Sequence, residues 1–564
     1  MLYTTAIIAN MIKQFTDNLY TYPGGTIAPL YCEAKKLGLN IVVARQEQGA
    51  GYMALAEAAL HNRPSFVAVT SGPGATNIIT PIADAFYDSV PLVVICGQVS
   101  TNDLNRSQTI RQRGFQEVPI TKLVEHITKK TFQPKTFKDL VSMLQVAVEI
   151  ANTGRKGPVV IDLPMDVQLQ QIQDDDLDKF NPRVSFPQSD KSISSGIDFN
   201  FIARTINNSQ KPLILVGGGA QEDWAQIRRL LEKTHIPAIS SLRGIGILNN
   251  SLDYGWIGHT GTPYANTLLY EADTVIVLGS RLDVRQTGTK TDIFKTKNII
   301  HVDIDEEELK YCRIDNNIKI NIPIKTFLDT IQDLIHLQNI DKWIQYAQEL
   351  KLRLKLDDIA KEKSNKPTPK QILSFINEML QDKKYYIATG VGLHQHWVAR
   401  YVDFDNAKSR FFTSAGHGTM GYGLPSALGL SYIEKDNTLT ICIDGDGSFQ
   451  MNLQELALVK TMNLKIKILI IDNNRLGLVS QFQNITFDDD PTTGHIINPD
   501  FVKIAQSYGI KAYSINTFDK GIIEDWITSE EASLLHVKIE HDTPLSPMLL
   551  GGQELNQMWY ENEQ

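Results

Sequence analysis

The chain has 564 residues, a formal net charge of -9, 42% hydrophobic residues and 21% charged residues, values of a soluble globular protein long enough for about three to four domains at roughly 150 residues each. The acidic balance leaves no basic stripe to neutralise phosphates and argues against a nucleic-acid role. No run of about 18 apolar residues offers a membrane span. Taken in chain order, IVVAR, FVAVTS, PLVVICG and GPVVIDLP read as short β-rich strands, each followed by an amphipathic stretch. This alternation predicts parallel sheets covered by helices. Residues 168–195 are polar, acidic and turn-rich and read as a linker. A second unit opens with PLILVGGGA, a strand running into Gly217, Gly218 and Gly219, and continues through DTVIVLGSR and NIIHVDIDEEE. These are nucleotide-fold features, although three glycines after a strand are a weak signal alone. Residues 340–368 begin as a charged helix, end in KEKSNKPTPKQ and read as a second linker. The predicted fold class is therefore α/β in three domains, each a mostly parallel sheet flanked by helices: residues 1–168, 195–340 and 368–545, with 546–564 as a C-terminal arm. Four scattered cysteines (Cys32, Cys96, Cys312 and Cys442) form no CxxC pair, and the opening residues lack a basic-then-apolar leader. A reduced, cytoplasmic setting is expected.

The most informative segment runs LTICIDGDGSFQMNLQELALVKTMNLKIKILIIDNNRLG, from Leu439 to Gly477. It reads strand, glycine turn, helix, strand, loop. Asp446 ends the first strand and Asn473 ends the next, 27 residues later. In a parallel sheet those two ends meet at the carboxyl edge, where ligands bind. A carboxylate, an amide oxygen and a loop carbonyl are hard ligands suited to Mg²⁺, with a diphosphate completing the shell. Gly447 and Ser448 open a helix whose N–H groups can approach phosphate. A bare GDG turn also occurs in ordinary βαβ units; GDG at this spacing before an Asn-Asn pair resembles the thiamine-diphosphate (ThDP) motif.

The chain thus resembles the family of acetolactate synthase, pyruvate oxidase and pyruvate decarboxylase, and most of all the acetolactate synthases, over almost its whole length. The resemblance implies pyrimidine, middle and diphosphate domains, with the metal held by Asp446, Asn473 and the carbonyl of Arg475. It also implies a carboxylate beside ring nitrogen 1′ of the cofactor's aminopyrimidine. Glu47, in VVARQEQGAGYMALAEA, matches the activating Glu of RHEQGA, with Gln46 in place of the usual His. A lone Glu at a helix start is otherwise a dipole partner; the QGAGYMA block that follows favours the catalytic reading. SAGHGTMGYGLPSALG resembles the stretch whose Met bends the cofactor, which gives Met420 that role and the Gly418 carbonyl the cofactor's exocyclic amine. YPGG (Tyr22, Gly24, Gly25) and SGPGATN (Pro73, Asn77) resemble loops flanking the cofactor. VGLHQHW resembles VGQHQMW and places Val391, Gly392, His394 and Gln395 near the diphosphate, with Leu393 replacing a family Gln. Family members draw the Glu and the metal site from different subunits, so a homodimer is the minimum and a homotetramer is compatible. A regulatory subunit is left open.

Acetolactate synthases also carry FAD with no net redox duty. Arg155 aligns with a flavin-contacting Arg, GHTGTPYAN resembles GMHGTxYAN, GSRLDVRQTG resembles GARFDDRVTG, and HVDIDEEEL resembles HIDIDPAEI. FAD is expected on Arg155, Arg281, Asp303 and the Gly217-Gly218-Gly219 turn; the alternative is a middle domain that has lost its nucleotide.

The acceptor side departs from the pattern. GMVxQWQ becomes GLVSQFQ, so Leu478 replaces Met and Phe482 replaces the Trp associated with a larger 2-oxo-acid acceptor. LPKD becomes LPMD, so Met165 replaces a Lys, while Phe115 and Gln116 of GFQE and Arg285 of LDVR remain. Arg285 can grip an acceptor carboxylate bidentately. The expected function is a carboligase that decarboxylates pyruvate and transfers the two-carbon unit to a second carbonyl. That carbonyl belongs to a 2-oxo acid or to a ketone such as a nucleotide-linked keto sugar, as in the related carboligases of branched-sugar (yersiniose) biosynthesis. The basic stretch around Arg106, Arg111 and Arg113 either meets a nucleotide diphosphate or is a solvated face. The alternatives are a flavin-dependent pyruvate oxidase, a simple 2-oxo acid decarboxylase or a non-enzymatic scaffold; the intact Glu47, Asp446 and Asn473 oppose the last.

Overall fold

The computed structural model describes residues 2–105, 107, 110–173, 196–248, 251–315, 317–354, 356, 364–434, 438–487 and 492–561. Three six-stranded parallel sheets organise them. The first has the order Asn40–Val43, Asn18–Tyr22, Ser65–Val69, Leu92–Gln98, Pro158–Pro164, Lys130–Phe132. The second has the order Asp253–Trp256, Ala238–Ser240, Pro212–Val216, Thr274–Leu278, Asn298–Asp303, Asn317–Asn321. The third has the order Ser409–Thr413, Tyr385–Thr389, Leu439–Gly445, Ile466–Asp472, Ser533–Lys538, Lys511–Ile515. The predicted α/β class with parallel sheets is what the chain adopts. Central strands such as Leu92–Gln98 and Ile466–Asp472 are buried at every position, which is why they read as unbroken apolar runs rather than alternating ones.

The first and third sheets share one apolar core. Helix Glu47–His61 of the first domain lies against helix Gly423–Ile433 of the third. The second of these is buried from Gly423 through Ser431, since it is sandwiched between a sheet and the opposite helix. The crossing is close: a Cβ on Gly429 would sit 2.8 Å from the Met53 Cα. This packing fixes the glycine-rich stretch before Gly423 relative to the start of the Glu47 helix.

Two expectations about linkers need revision. Gln171–Ile172 pair antiparallel with Leu2–Tyr3, so the tail of the first domain stays with that domain beyond residue 168; residues 174–195 of that predicted linker lie outside the described residues. Helix Asp341–Arg353 buries Trp343, Ala347 and Leu350 in a core of the middle domain, with the Trp343 indole donating to the Pro212 carbonyl at 2.9 Å. Charge density along that stretch hid a stripe of apolar residues at helical spacing. The C-terminal arm folds back on the same core through Leu549, Leu555 and Met558. Among the described residues, no helix is long and apolar enough to cross a membrane.

Candidate active site and interdomain cavity

Strands Leu439–Gly445 and Ile466–Asp472 are neighbours in the third sheet, so their carboxyl ends deliver Asp446 and Asn473 side by side. Asp446 opens helix Asp446–Phe449 and is 2% exposed; Asn473 is 5% exposed. The turn is tightly packed by side chains at Gly447. A Cβ on Gly447 would sit 2.8 Å from Leu476 and 2.9 Å from Ile496, with the Met420 methyl 3.5 Å away. Ser448 Oγ accepts the Gly421 N–H at 2.9 Å, which ties the Met420 turn to the same helix. Arg475 forms an isolated antiparallel bridge with His495, flanked by Leu476 N–H to Gly494 O at 2.8 Å and Ile496 N–H to Asn474 O at 2.9 Å. That is the non-hydrogen-bonded kind of pair, so the N–H and C=O of Arg475 turn away from His495. The N–H reaches Asn473 Oδ1 at 3.2 Å.

Asp446 lies in a buried, acidic corner. Burial pushes the Asp446 carboxyl up to about 7, with the Asp472 carboxylate adding to the rise. No basic side chain pairs with Asp446 among the described residues; Asp472 has the His536 imidazole at 2.7 Å. No cluster of three or more His, Cys, Asp or Glu side chains able to hold a metal occurs among the described residues. A cation here would rest on one carboxylate, one amide oxygen and one main-chain carbonyl, a donor set that fits Mg²⁺ only with further oxygens from a ligand. Nearby, His394 Nε2 lies 3.1 Å from Asp444 Oδ1 but is not aligned to donate, leaving His394 Nε2 and Asp444 Oδ2 buried without hydrogen bonds.

In the first domain, Glu47 is the first residue of its helix and 5% exposed. Its Oε2 accepts from Asn77 Nδ2 at 3.0 Å. Gln46, where the family has His, caps the helix by accepting the Gln48 N–H at 2.6 Å. Gln116 and Gly72 both have positive φ, and a Cβ on Gly72 would sit 2.9 Å from the Gln116 Cβ, so the GFQE and SGPG loops are packed together. Gly24 packs on Thr70, Gly25 faces open space and Tyr22 is 39% exposed. Glu455, on the third domain, accepts the Arg45 N–H at 3.1 and 3.0 Å through its two oxygens and, by burial, is pushed up to about 7. It anchors the turn that leads into Glu47.

The Gly418 turn is held from the first domain. Ser414 Oγ donates to the buried Asp84 and accepts the N–H groups of Gly418 and Thr419 at 2.9 and 3.0 Å. Asp88 accepts from Ala415 and Gly416 N–H at 3.1 and 2.9 Å. Gln395 Nε2 donates to Thr413 Oγ1 at 2.8 Å.

A cavity of about 560 Å³ opens between the three domains. The first domain contributes Arg155; the middle domain Gly218, Gly219, Arg281, Arg285 and Asp303; the third Val391, Gln395, Gly418 and Leu478. Gly217 does not line it: a Cβ there would run into the Gly279 main chain, so this glycine serves strand-to-strand packing. Arg155 is paired with Asp305 at 3.1 Å and with Glu308, Arg281 with Asp283 at 3.1 Å. Arg285 has no ion-pair partner among the described residues, and its carbonyl accepts the His259 N–H at 2.8 Å. Burial, reinforced by Arg285, pulls the His259 imidazole down to about 4. Asp303 is pushed up to about 6 by burial.

One chain does not bring the whole expected constellation together. Phe115 is 84% and Phe482 53% exposed, and neither lines the cavity that holds Arg285 and Leu478. Glu47 accepts a hydrogen bond within its own domain, and no hydrogen bond or ion pair joins its side chain to Asp446 or Asn473 among the described residues. Arg106 of the basic stretch lies outside the described residues; Arg111 and Arg113 are exposed.

With this geometry in view, comparisons with known proteins agree across the chain. Residues 1–123 match the thiamine pyrophosphate (ThDP) enzyme N-terminal TPP binding domain, residues 199–331 the central domain, and residues 390–537 the C-terminal TPP binding domain. The acetolactate synthase isozyme 2 large subunit of Escherichia coli K12 is 32% identical, covering 98% of each chain. The acetolactate synthase large subunit of Cyanidium caldarium is 34% identical, covering 98% of this chain and 96% of its own. The probable acetolactate synthase large subunit of Methanocaldococcus jannaschii is 35% identical, covering 98% and 94%.

Proposed function

The chain belongs to the ThDP-dependent enzymes of the acetolactate synthase large-subunit type, C–C bond-forming enzymes, and from that premise we propose how its own residues run the reaction and which acceptor they take. The observation that carries the reading is the buried corner where Asp446 and Asn473 follow the ends of neighbouring strands, with Arg475 two residues on. There Asp446, Asn473 and Arg475 would hold Mg²⁺, and the helix start at Gly447 and Ser448 would receive the diphosphate. When bound, ThDP supplies the electron sink that lets pyruvate lose CO₂ and its two-carbon remainder add to a second carbonyl. Glu47 would hold a proton in place at the aminopyrimidine ring nitrogen. The Gly418 carbonyl would accept from the cofactor's exocyclic amine, and Met420, whose methyl lies close to Gly447, would pack against the cofactor. Arg285 orients an anionic acceptor, its cavity position and lack of an ion-pair partner supporting that use. The lack of a side-chain hydrogen bond or ion pair between Glu47 and the Asp446–Asn473 corner among the described residues, and the exposure of Phe115 and Phe482, support a complete site that takes Glu47 from one copy and the metal corner from a second.

The cavity among the three domains is the binding place for FAD in this reading. Its volume of about 560 Å³ falls within the range of small-molecule sites, and the glycine turn Gly218–Gly219 borders it. Purified protein is expected to carry flavin absorbance near one equivalent per chain, and product should form from pyruvate without bleaching it. A colourless enzyme, fully active and unresponsive to added FAD, would exclude flavin.

The acceptor pocket gives little preference for 2-oxobutyrate over pyruvate and admits a ketone beside a 2-oxo acid. Phe482 lacks the indole N–H and ring area of the family Trp, Leu478 replaces Met, and Met165 removes a cation. Pocket discrimination by one methylene is worth only about 1–3 kcal/mol, so shape changes of this kind decide selectivity. Products formed from pyruvate alone, with 2-oxobutyrate, with simple ketones and with nucleotide-linked 4-keto sugars should show little preference for 2-oxobutyrate and measurable transfer to a ketone. Phe482→Trp should raise the share of 2-oxobutyrate product. Strong 2-oxobutyrate preference in the unmodified enzyme, or brisk acetolactate formation with every ketone refused, would identify an acceptor site of the ordinary kind.

A further inference from the structure

Asn498 lies outside the Asp446–Asn473 segment, in the stretch that follows the Arg475–His495 bridge. Its Nδ2 donates to Asp446 Oδ2 at 2.7 Å and to Asp472 Oδ1 at 2.8 Å, and lies 3.2 Å from Asn474 Oδ1. The orientation of this amide is fixed, because its own oxygen accepts from Gln450 Nε2 at 3.0 Å, and Gln450 is itself anchored on the Asp446 carbonyl at 3.0 Å. With oxygen held at one end, the two N–H groups must face the carboxylates. Asp472 Oδ1 also accepts the Asn474 N–H at 2.9 Å. Both flanks of Asn473 are therefore tied to the amide that also holds Asp446. Asp446 Oδ1 takes part in none of these hydrogen bonds. The ribbon of Asn474–Leu476 against Gly494–Ile496 delivers Asn498 to this point through the two main-chain hydrogen bonds described above.

We propose that Asn498, oriented by Gln450, is a positioning residue for the divalent cation: it pins one oxygen of Asp446 and both neighbours of Asn473, so that the remaining Asp446 oxygen and the Asn473 amide oxygen stand ready as ligands. The inference rests on the metal assignment to Asp446, Asn473 and Arg475. A carboxylate left free to rotate must be ordered when the cation arrives, and partners that orient a ligand are commonly worth 10–100-fold in metal affinity. An amide is suited to this position. It donates to two carboxylates without adding a third negative charge, as Asp would, or taking from Asp446 its side-chain donor, as Leu would.

The test uses Mn²⁺ as probe on the full chain with saturating ThDP, reading free Mn²⁺ and the bound-Mn²⁺ line shape by electron paramagnetic resonance. Asn498→Ala and Gln450→Leu should each weaken Mn²⁺ binding, the first by about 10–100-fold and the second by less, and should broaden the bound spectrum. A merely structural role would lower the melting temperature without metal while leaving both metal readouts unchanged. Wild-type Mn²⁺ affinity and line shape in Asn498→Ala, or in Gln450→Leu should Asn498→Ala not fold, overturns the proposal. Asp446→Ala separates the two levels. If it too leaves Mn²⁺ affinity unchanged, the metal assignment fails; if it abolishes binding while Asn498→Ala does nothing, only the role of Asn498 fails.

Discussion

Glu47→Gln is expected to leave the fold and ThDP binding intact while slowing turnover by about 10²–10⁴-fold, the usual worth of a positioned acid–base group. The amide keeps the length of the side chain and can still meet Asn77, which now donates to the carboxylate at 3.0 Å. It retains the helix start that Gln46 caps and that Glu455 anchors through Arg45. What it lacks is the negative charge that stabilises a proton on the aminopyrimidine nitrogen, so exchange of the cofactor's carbon-2 proton in heavy water, followed by NMR, should slow together with turnover. The burial of Glu47, 5% exposed, magnifies the effect, because no water can substitute for the missing charge. Exchange at the wild-type rate in a folded, ThDP-loaded variant would remove Glu47 from the activating role. If activity fell with exchange unaffected, the residue would act later in the reaction.

The parts of this site that can be read from the chain are those carried by local spacing. Asp446 and Asn473 end adjacent parallel strands, and a strand-turn-helix-strand unit constrains how far apart in sequence such ends fall; the motif is geometry written along the chain. The buried strands are legible for the same reason. Asn498 and Gln450 are not, since their contact depends on a loop returning through the Arg475–His495 bridge, and tertiary closure leaves no period in sequence. Glu455 and Asp84 are hidden for a related reason: each acts across the interface between the first and third domains. Helix Asp341–Arg353 reads as the start of a linker because its exposed face is charged, while Trp343, Ala347 and Leu350 on the other face decide where it packs. The glycine triplet shows the limit of motif reading. Gly218 and Gly219 border the cavity, but Gly217 is glycine because the Gly279 main chain passes too close for a side chain.

Asp446→Ala is expected to abolish tight, metal-dependent ThDP binding. The diphosphate would then meet a corner that retains the Asp472 carboxylate and has lost the ligand for the cation that bridges the two negative groups. Asp446→Asn offers the same contrast with less disturbance, since its amide oxygen can still accept from Asn498 while the charge is gone. Equilibrium titration of ThDP with and without Mg²⁺ checks both variants, and an unchanged affinity in either would sink the metal assignment. The pair of inactive variants also decides how many chains build a site. In a dimer mixed from Glu47→Gln and Asp446→Ala chains, sites shared between copies leave one site with both lesions and the other with none. Equal mixing makes about half the dimers mixed, so roughly a quarter of the sites are intact. Sites confined to one chain would leave every site with one lesion. Recovery of about a quarter of the wild-type rate after co-refolding or co-expression is therefore the expected result, and no recovery beyond the sum of the two parents would return Glu47 and Asp446 to the same chain. The exposure of Phe115 and Phe482 favours recovery, because aromatic surface of that extent beside a catalytic loop is what a second copy would cover.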